Sequence, residues 1–320
     1  MISIIRKFLE LIRFSHTIFA LPFALLAAGM AWFTNFHPEV SAVPTVAFRW
    51  WDFLGILLCM VFARSAAMAF NRLVDRKIDA KNPRTAMRHL PAGKLSVRQV
   101  ACFTVVCVVG FIASTALFLP YNPLPFCASV PVLLFLMGYS LAKRFTNYVH
   151  FWLGTALMLA PIAAWVALRG EVLINNAMLW LAGKPLTITL AETSAVILAV
   201  AVCFWSAGFD IIYATMDADF DKEAGVHSIP GRFGIQNALR IAAVCHLFVP
   251  LPLLLLGFVF SPFGTIWFVG VGMIAALLLF EHGIAKTDDP QRINVAFFNV
   301  NSIISVTLLG IGALEMFLNW

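Results

Sequence analysis

The residues that could do chemistry are concentrated in two short segments. The first reads Asn71-Arg-Leu-Val-Asp75-Arg-Lys-Ile-Asp79, the second Asp210-Ile-Ile-Tyr213-Ala-Thr-Met-Asp217-Ala-Asp219-Phe-Asp221-Lys-Glu223. They hold seven of the 16 carboxylates in the chain. Taken as helix, Asn71, Asp75 and Asp79 stand at i, i+4 and i+8 and share one face. Asp210, Tyr213, Asp217 and Asp221 step by three, four and four and share another, from which Asp219 points away. Like charges at i,i+4 repel and destabilise a bare helix. One such face would be explained by pairing with neighbouring Arg and Lys. Two of them point to a divalent cation. Oxygen-only donors favour Mg²⁺ or Ca²⁺ over zinc. Magnesium typically takes one or two carboxylates, keeps several waters and binds a substrate phosphate.

Phosphate chemistry also needs organic cations. Arg72, Lys77, Arg84, Arg88 and Lys94 surround the first acidic face, and Lys143 and Arg144 open another charged loop. Arginine grips phosphate bidentately and lysine acts as a compact charge. Taken singly, most of these residues are better explained as topology signals or lipid-headgroup contacts. Arg64 is the basic residue well inside an apolar run, seven positions before Asn71 and on the same face. It has two readings, an anion ligand or a side chain that snorkels or pairs with an acid. No GxxxxGK[ST], GxSxG or HExxH motif is present, which sets aside P-loop, α/β-hydrolase and zincin chemistry.

The elements that must position these groups are membrane spans. Of 320 residues, 61% are hydrophobic and 12% charged, about half the charge of a soluble domain. Nine stretches approach the roughly 20 apolar residues that a crossing requires: 15–33, 52–70, 99–119, 124–142, 151–168, 193–213, 239–259, 262–280 and 295–317. Open sheets leave unsatisfied edges in lipid, so the expected fold is all-α. The charge of +6 follows from basic loops: Arg6, Lys7, Arg13, the run from Arg72 to Arg98, Lys143, Arg144, Lys222, Arg232, Arg240, Lys286 and Arg292 place 18 of 22 Lys+Arg on one side. The positive-inside rule puts that side, with the N-terminus and both acidic segments, in the cytoplasm and the C-terminus outside. Nothing resembles a nucleic-acid motif. Residues 1–13 read as an interfacial helix. Loop 34–50, with Pro38 and Pro44, lies outside, as does loop 170–192, whose apolar patch 177–181 is too short to span. The six cysteines are scattered without a CxxC pair and read as small buried residues.

The stretch Asn71 to Gly93, including Asn-Pro-Arg84-Thr85-Ala-Met-Arg88-His-Leu-Pro-Ala-Gly93, resembles the first signature of the UbiA superfamily of intramembrane aromatic prenyltransferases, in its 4-hydroxybenzoate polyprenyltransferase branch. Asp210-x-x-Tyr213-x-x-x-Asp217-x-x-x-Asp221 resembles the second. Phe14-Ser15-His16-Thr17-Ile18-Phe19-Ala20-Leu21-Pro22-Phe23, Tyr139-Ser-Leu-Ala-Lys143-Arg144 and His227-Ser228-Ile229-Pro230 are similar to further family segments. The resemblance covers nearly the whole chain. It implies one domain, 1–320, of nine transmembrane helices around a central cavity, with 71–98 and 210–238 as cytoplasmic catalytic segments. It implies two Mg²⁺ ions holding an allylic polyprenyl diphosphate, one at Asn71 and Asp75, the other at Asp217 and Asp221, with Asp79 and Asp210 in support. Arg72, Lys77, Arg84, Arg88, Lys143, Arg144 and Tyr213 are then expected on the diphosphate and Arg64 on the acceptor. Many members carry Lys at His227, and Asp219 is additional to the motif, so neither is assigned a role. The implied acceptor is a small hydroxylated aromatic acid, 4-hydroxybenzoate on a ubiquinone route first and a dihydroxynaphthoate on a menaquinone route second. The reading from a different class is a transporter of an anionic solute. It fits less well, because the strong polar groups gather at one end and spans 3, 4 and 7 offer little polar route across. A CDP-alcohol phosphotransferase has a different Asp motif, and an assembly subunit needs no such set of acids.

Overall fold

The structure is a computed structural model that describes residues 2–36, 48–119, 121–185, 190–285 and 290–320. Pro38, Pro44 and Lys286 lie outside the described residues. Helices α1 (Ile2–Leu11), α2 (Leu21–Phe36), α3 (Trp50–Lys81), α4 (Val97–Thr115), α5 (Leu124–Ala142), α6 (Val149–Leu181), α7 (Ser194–Ala214), α8 (Ala218–Ala224), α9 (Ile229–Phe233), α10 (Ile235–Phe248), α11 (Pro250–Val259), α12 (Thr265–Ala285), α13 (Pro290–Val295) and α14 (Asn301–Leu318) account for the regular structure. Among the described residues nine helical stretches are long and apolar enough to cross a membrane, and no strand occurs. That is what lipid dictates, since a helix satisfies its own backbone. The amphipathic α1 buries Leu11 and Ile12 against Ala69, Leu95 and Val100. It ends at Arg13, whose φ of 47° breaks the helix before the 3₁₀ turn Phe14–Phe19 leads into α2. Helix α4 begins with a capping box: Ser96 accepts from Gln99 N while the Gln99 side chain accepts from Ser96 N.

Four features differ from the sequence reading or resolve it. The fifth crossing does not stop at residue 168. Helix α6 continues to Leu181 through a kink at Arg169 (φ −120°, ψ 16°), so the patch 177–181 is its last turn and a half. The kink frees carbonyls, and the Asn122 amide donates to two of them, Val166 O (2.7 Å) and Ala167 O (2.9 Å). Asn122 lies so close that a Cβ at position 170 would sit 2.3 Å from it, which explains Gly170. Second, the helix carrying the second acidic segment breaks: α7 ends at Ala214, Thr215–Asp217 form a 3₁₀ turn, and α8 follows. Asp210 and Asp221 therefore belong to different helices. Third, Asn301 ties helices together. It accepts from Trp205 Nε1 (2.6 Å) and donates to Glu281 Oε1 (2.7 Å), at the end of a π-helical turn, Ala296–Val300. Asn299 is exposed. Fourth, Cys102 and Cys127 are exposed rather than buried.

The main core draws on α2, α6, α7, α11, α12 and α14, with Trp205 and Trp267 among its largest buried side chains. The acidic segments lie at one end of this bundle, where α3 and α7 finish.

Candidate active site

Helix α3 presents Asn71, Asp75 and Asp79 along one face, with Asp75 and Asp79 almost wholly buried. Asn71 Nδ2 donates to Asp75 Oδ2 at 2.8 Å. Asp75 also receives Lys143 Nζ at 2.6 Å and Arg144 Nη2 at 3.2 Å, from the loop that follows α5. Asp79 receives Arg88 Nη1 at 2.7 Å, and its Oδ2 is buried without a hydrogen-bond partner among the described residues.

The two acidic segments meet directly. Arg84, from the loop after α3, clasps Asp217 with two nitrogens, Nε to Oδ1 at 2.8 Å and Nη2 to Oδ2. Its Nη1 donates to Tyr213 Oη at 2.8 Å, and the guanidinium carbon lies 5.0 Å from the centre of the Tyr213 ring. Burial alone would lower the Arg84 pKa, but the Asp217 carboxylate and the Tyr213 oxygen outweigh it and hold the group above its ordinary value. Asn82 Nδ2 adds a third donor to Asp217 Oδ1 at 2.8 Å.

The segment after α8 packs on the second acid pair. Gly225 takes φ +66° as the cap of α8, and a Cβ at Gly231 would stand 3.2 Å from Asp221 Cβ. His227 Nδ1 lies 3.1 Å from Asn147 Oδ1, and the His227 backbone N–H donates to Lys143 O at 2.9 Å. It thus joins two loops rather than reaching an acid. Asp219 is exposed, as its register requires. Asp210 points elsewhere, to His150 Nδ1 at 2.7 Å.

Among the cations, Arg72 is buried and contacts Asn71 Oδ1 (3.3 Å) and Leu11 O (3.5 Å). Arg64 donates to Ile12 O at 3.0 Å, so the carboxylate partner of the second reading is not what it meets. Lys77 is exposed and has no partner among the described residues. It sits two residues from Asp75, about 200° around the helix, so geometry puts it off the acidic face. Three contributors were not singled out in the sequence: Asn82, Arg13 and His150. Asn82, like the expected Arg84, flanks a proline turn that only folding brings to Asp217. Arg13 donates to Tyr213 Oη at 3.2 Å, and its left-handed φ was the missing signal. His150 follows the loop of Lys143 but carries no local mark of its role.

Aromatic rings back this charged layer. Phe297 lies 4.2 Å from Tyr213 and 5.4 Å from Phe19 and Phe209, and Phe298 lies 4.9 Å from His16. Phe297 and Phe298 sit on the π-helical turn that Asn301 holds.

The donor chemistry fits a hard divalent cation. The acids and Asn71 offer oxygen alone, and Asp79 Oδ2 is a buried acceptor left over. Among the described residues no three His, Cys, Asp or Glu side chains gather as a protein-only metal cage. Paired donors of this kind suit an ion that keeps waters and shares a substrate phosphate.

Residues 31–303 match the UbiA prenyltransferase family. The chain belongs to that family. As a UbiA prenyltransferase it is an enzyme embedded in the membrane by its apolar helices. It is 29% identical over 263 residues to the 4-hydroxybenzoate octaprenyltransferase of Vibrio parahaemolyticus, covering 82% of this chain and 84% of that one. It is 28% identical over 288 residues to the enzyme of the same name from Acidovorax ebreus, covering 88% and 89%. Among solved structures, a UbiA homologue from Aeropyrum pernix superposes with a TM-score of 0.74 at 28% identity, over 93% of this chain and 97% of that one. A UbiA homologue from Archaeoglobus fulgidus, described as bound to GPP and Mg²⁺, shares the fold with a TM-score of 0.63 at 19% identity, over 97% and 99%.

Proposed function

We propose that this UbiA family member transfers a polyprenyl group from an allylic polyprenyl diphosphate to a ring carbon of a hydroxylated aromatic acid, with 4-hydroxybenzoate the first choice of acceptor and respiratory quinone synthesis the purpose. The observation that carries the reading is Arg84 of one acidic segment clasping Asp217 of the other, beside Lys143 and Arg144 on Asp75. Acids and cations from distant parts of the chain share one buried layer, as a diphosphate bridged to metal requires. The relatives named 4-hydroxybenzoate octaprenyltransferase support the acceptor, and the Archaeoglobus homologue with GPP and Mg²⁺ supports the donor and the ion.

In this reading Asn71 with Asp75, and Asp217 with Asp221, each hold one Mg²⁺ and Asp79 supports them, while Asp210, expected in support, instead orients His150. Bound magnesium neutralises the leaving diphosphate oxygens. Arg84, Lys143 and Arg144 swing from the carboxylates they now occupy to the diphosphate, with Arg72, Arg88 and Tyr213 around it. The C–O bond to the allylic carbon breaks, diphosphate carries away the electron pair, and a new C–C bond forms as the ring loses a proton. The faces of Tyr213, Phe297 and Phe19 line the path of the allylic cation and stabilise it by cation–π attraction. Arg64, whose side chain donates among the described residues to the Ile12 carbonyl, holds the acceptor carboxylate. The acidic segments and the N-terminus face the cytoplasm and Trp320 the outside. Labelling a lone Trp320→Cys thiol in a cysteine-free chain should succeed only from the outer face, and cytoplasmic labelling would refute this.

The test is to offer purified enzyme, magnesium and a polyprenyl diphosphate a panel of aromatic acids. We expect C-prenylated 4-hydroxybenzoate. Product from a dihydroxynaphthoate alone would move the enzyme to a menaquinone route. Product from neither acid would overturn the reading.

A further inference from the structure

A groove near the charged end of the bundle lies apart from the acids. Its volume is about 420 Å³, and it runs between α1 and the first turns of α4, lined by Phe8, Ser96, Arg98, Gln99, Cys102, Phe103 and Val106. Its polar residues stand at one end, and below them Cys102, Phe103 and Val106 descend one stripe of α4 at helical spacing. The neighbouring Val105 and Val109 are more than half exposed, so the groove opens on the apolar flank that faces lipid. The stacked rings of Phe8 and Phe103, 4.6 Å apart, form its wall.

The polar end is cationic. Arg98 is exposed and has no hydrogen-bond or ion-pair partner among the described residues. Lys7 reaches Lys94 O at 3.5 Å. The nearby acid, Glu10, is already engaged by Arg6 at 2.8 Å and His89 at 3.4 Å, leaving an excess of positive charge. An apolar channel in the hydrocarbon capped by an unpaired cation, Arg98, at the interface is complementary to one class of molecule.

We propose that this groove is a binding site for one anionic phospholipid, with its phosphate at Arg98 and an acyl chain along Cys102, Phe103 and Val106. The site has a structural consequence. Helix α1 forms its other wall, and the last carbonyls of that segment, Leu11 O and Ile12 O, hold Arg72 and Arg64. A lipid in the groove seats α1 and so fixes those two arginines.

Full-length protein stripped of lipid in neutral detergent would be given equimolar phosphatidylglycerol and phosphatidylcholine, and retained lipid counted by native mass spectrometry. We expect one phosphatidylglycerol held in preference, by about fivefold for each basic residue engaged. Arg98→Gln, at an exposed position that does not threaten folding, should reduce this to the level of phosphatidylcholine. Val106→Trp should fill the groove and abolish retention, while Val244→Trp on the exposed flank of α10 leaves it intact. Equal retention of both lipids, or an Arg98→Gln protein that still prefers phosphatidylglycerol, would overturn the proposal. Retention of a polyprenyl diphosphate in place of phosphatidylglycerol would overturn it too. None of these readouts depends on turnover, so the result stands apart from the proposed reaction.

Discussion

Two buried ionic clusters lie at opposite ends of the bundle, and they are built differently. At the far end, Arg169 grips both oxygens of Glu192, which also accepts from Trp165 Nε1 at 3.1 Å. Arg169 is wholly buried and Glu192 nearly so. It is a local match, made where α6 kinks and the chain turns back into α7, roughly 30 Å along α6 from the candidate site by helix rise. At the site end, Asp75, Asp79 and Asp217 take their cations from the loops after α3 and α5, and Asp79 keeps an oxygen unused. A matched pair in low dielectric holds two helices at one angle, and breaking it strands a charge. A layer whose cations arrive on separate loops can exchange partners when an anion and metal enter. The first cluster reads as architecture and the second as machinery.

Mutations should separate the two. Asp75→Ala and Asp217→Ala should each abolish prenyl transfer while the protein stays folded in detergent, as assayed by product formation and a melting curve. Wild-type rates at saturating magnesium would place the machinery elsewhere. Arg169→Leu should cost about 3–5 kcal/mol of stability by leaving Glu192 unpaired. The double change Arg169→Met with Glu192→Leu should recover most of it and keep near-normal kcat. If the double variant melts normally but is inactive, the far cluster is not merely architectural. Arg84→Ala should lower kcat about 100-fold, the loss of one donor to a developing oxyanion. Arg84→Lys should restore only part, because a point charge cannot clasp two oxygens. The smallest effect is expected for Phe297→Leu, about 0.5–1 kcal/mol of lost cation–π stabilisation, read as a severalfold slower turnover. A hundredfold loss there would mean that the ring itself touches the reacting carbons.

The sequence made the nine crossings and the acidic spacing of α3 plain, because both are local patterns with a fixed period. Asn71, Asp75 and Asp79 fall on one face for that reason. The second segment was less legible. Its i,i+4 spacing is intact, yet the 3₁₀ turn at Thr215–Asp217 divides it, so Asp210 faces His150 instead of the shared acidic layer. The continuation of α6 to Leu181 was hidden because Arg169 looks like the end of a hydrophobic run, and the carbonyls it frees are satisfied by Asn122, a residue 47 positions earlier. Arg84 on Asp217 and Lys143 on Asp75 bring loop cations to acids far away in the chain, which no periodicity encodes. Lys77 shows the opposite error: nearness in sequence suggested a ligand, and helix geometry turns it away.

The central claim is that each acidic face holds one divalent ion over a shared diphosphate. Manganese can report on it by electron paramagnetic resonance, titrated into purified enzyme in the presence of a non-hydrolysable polyprenyl diphosphate analogue. The account predicts about two ions bound per wild-type chain, the number of paired-donor faces, and one in each of Asp75→Ala and Asp217→Ala. No tight manganese in the wild type, or an undiminished count in both variants, would contradict it.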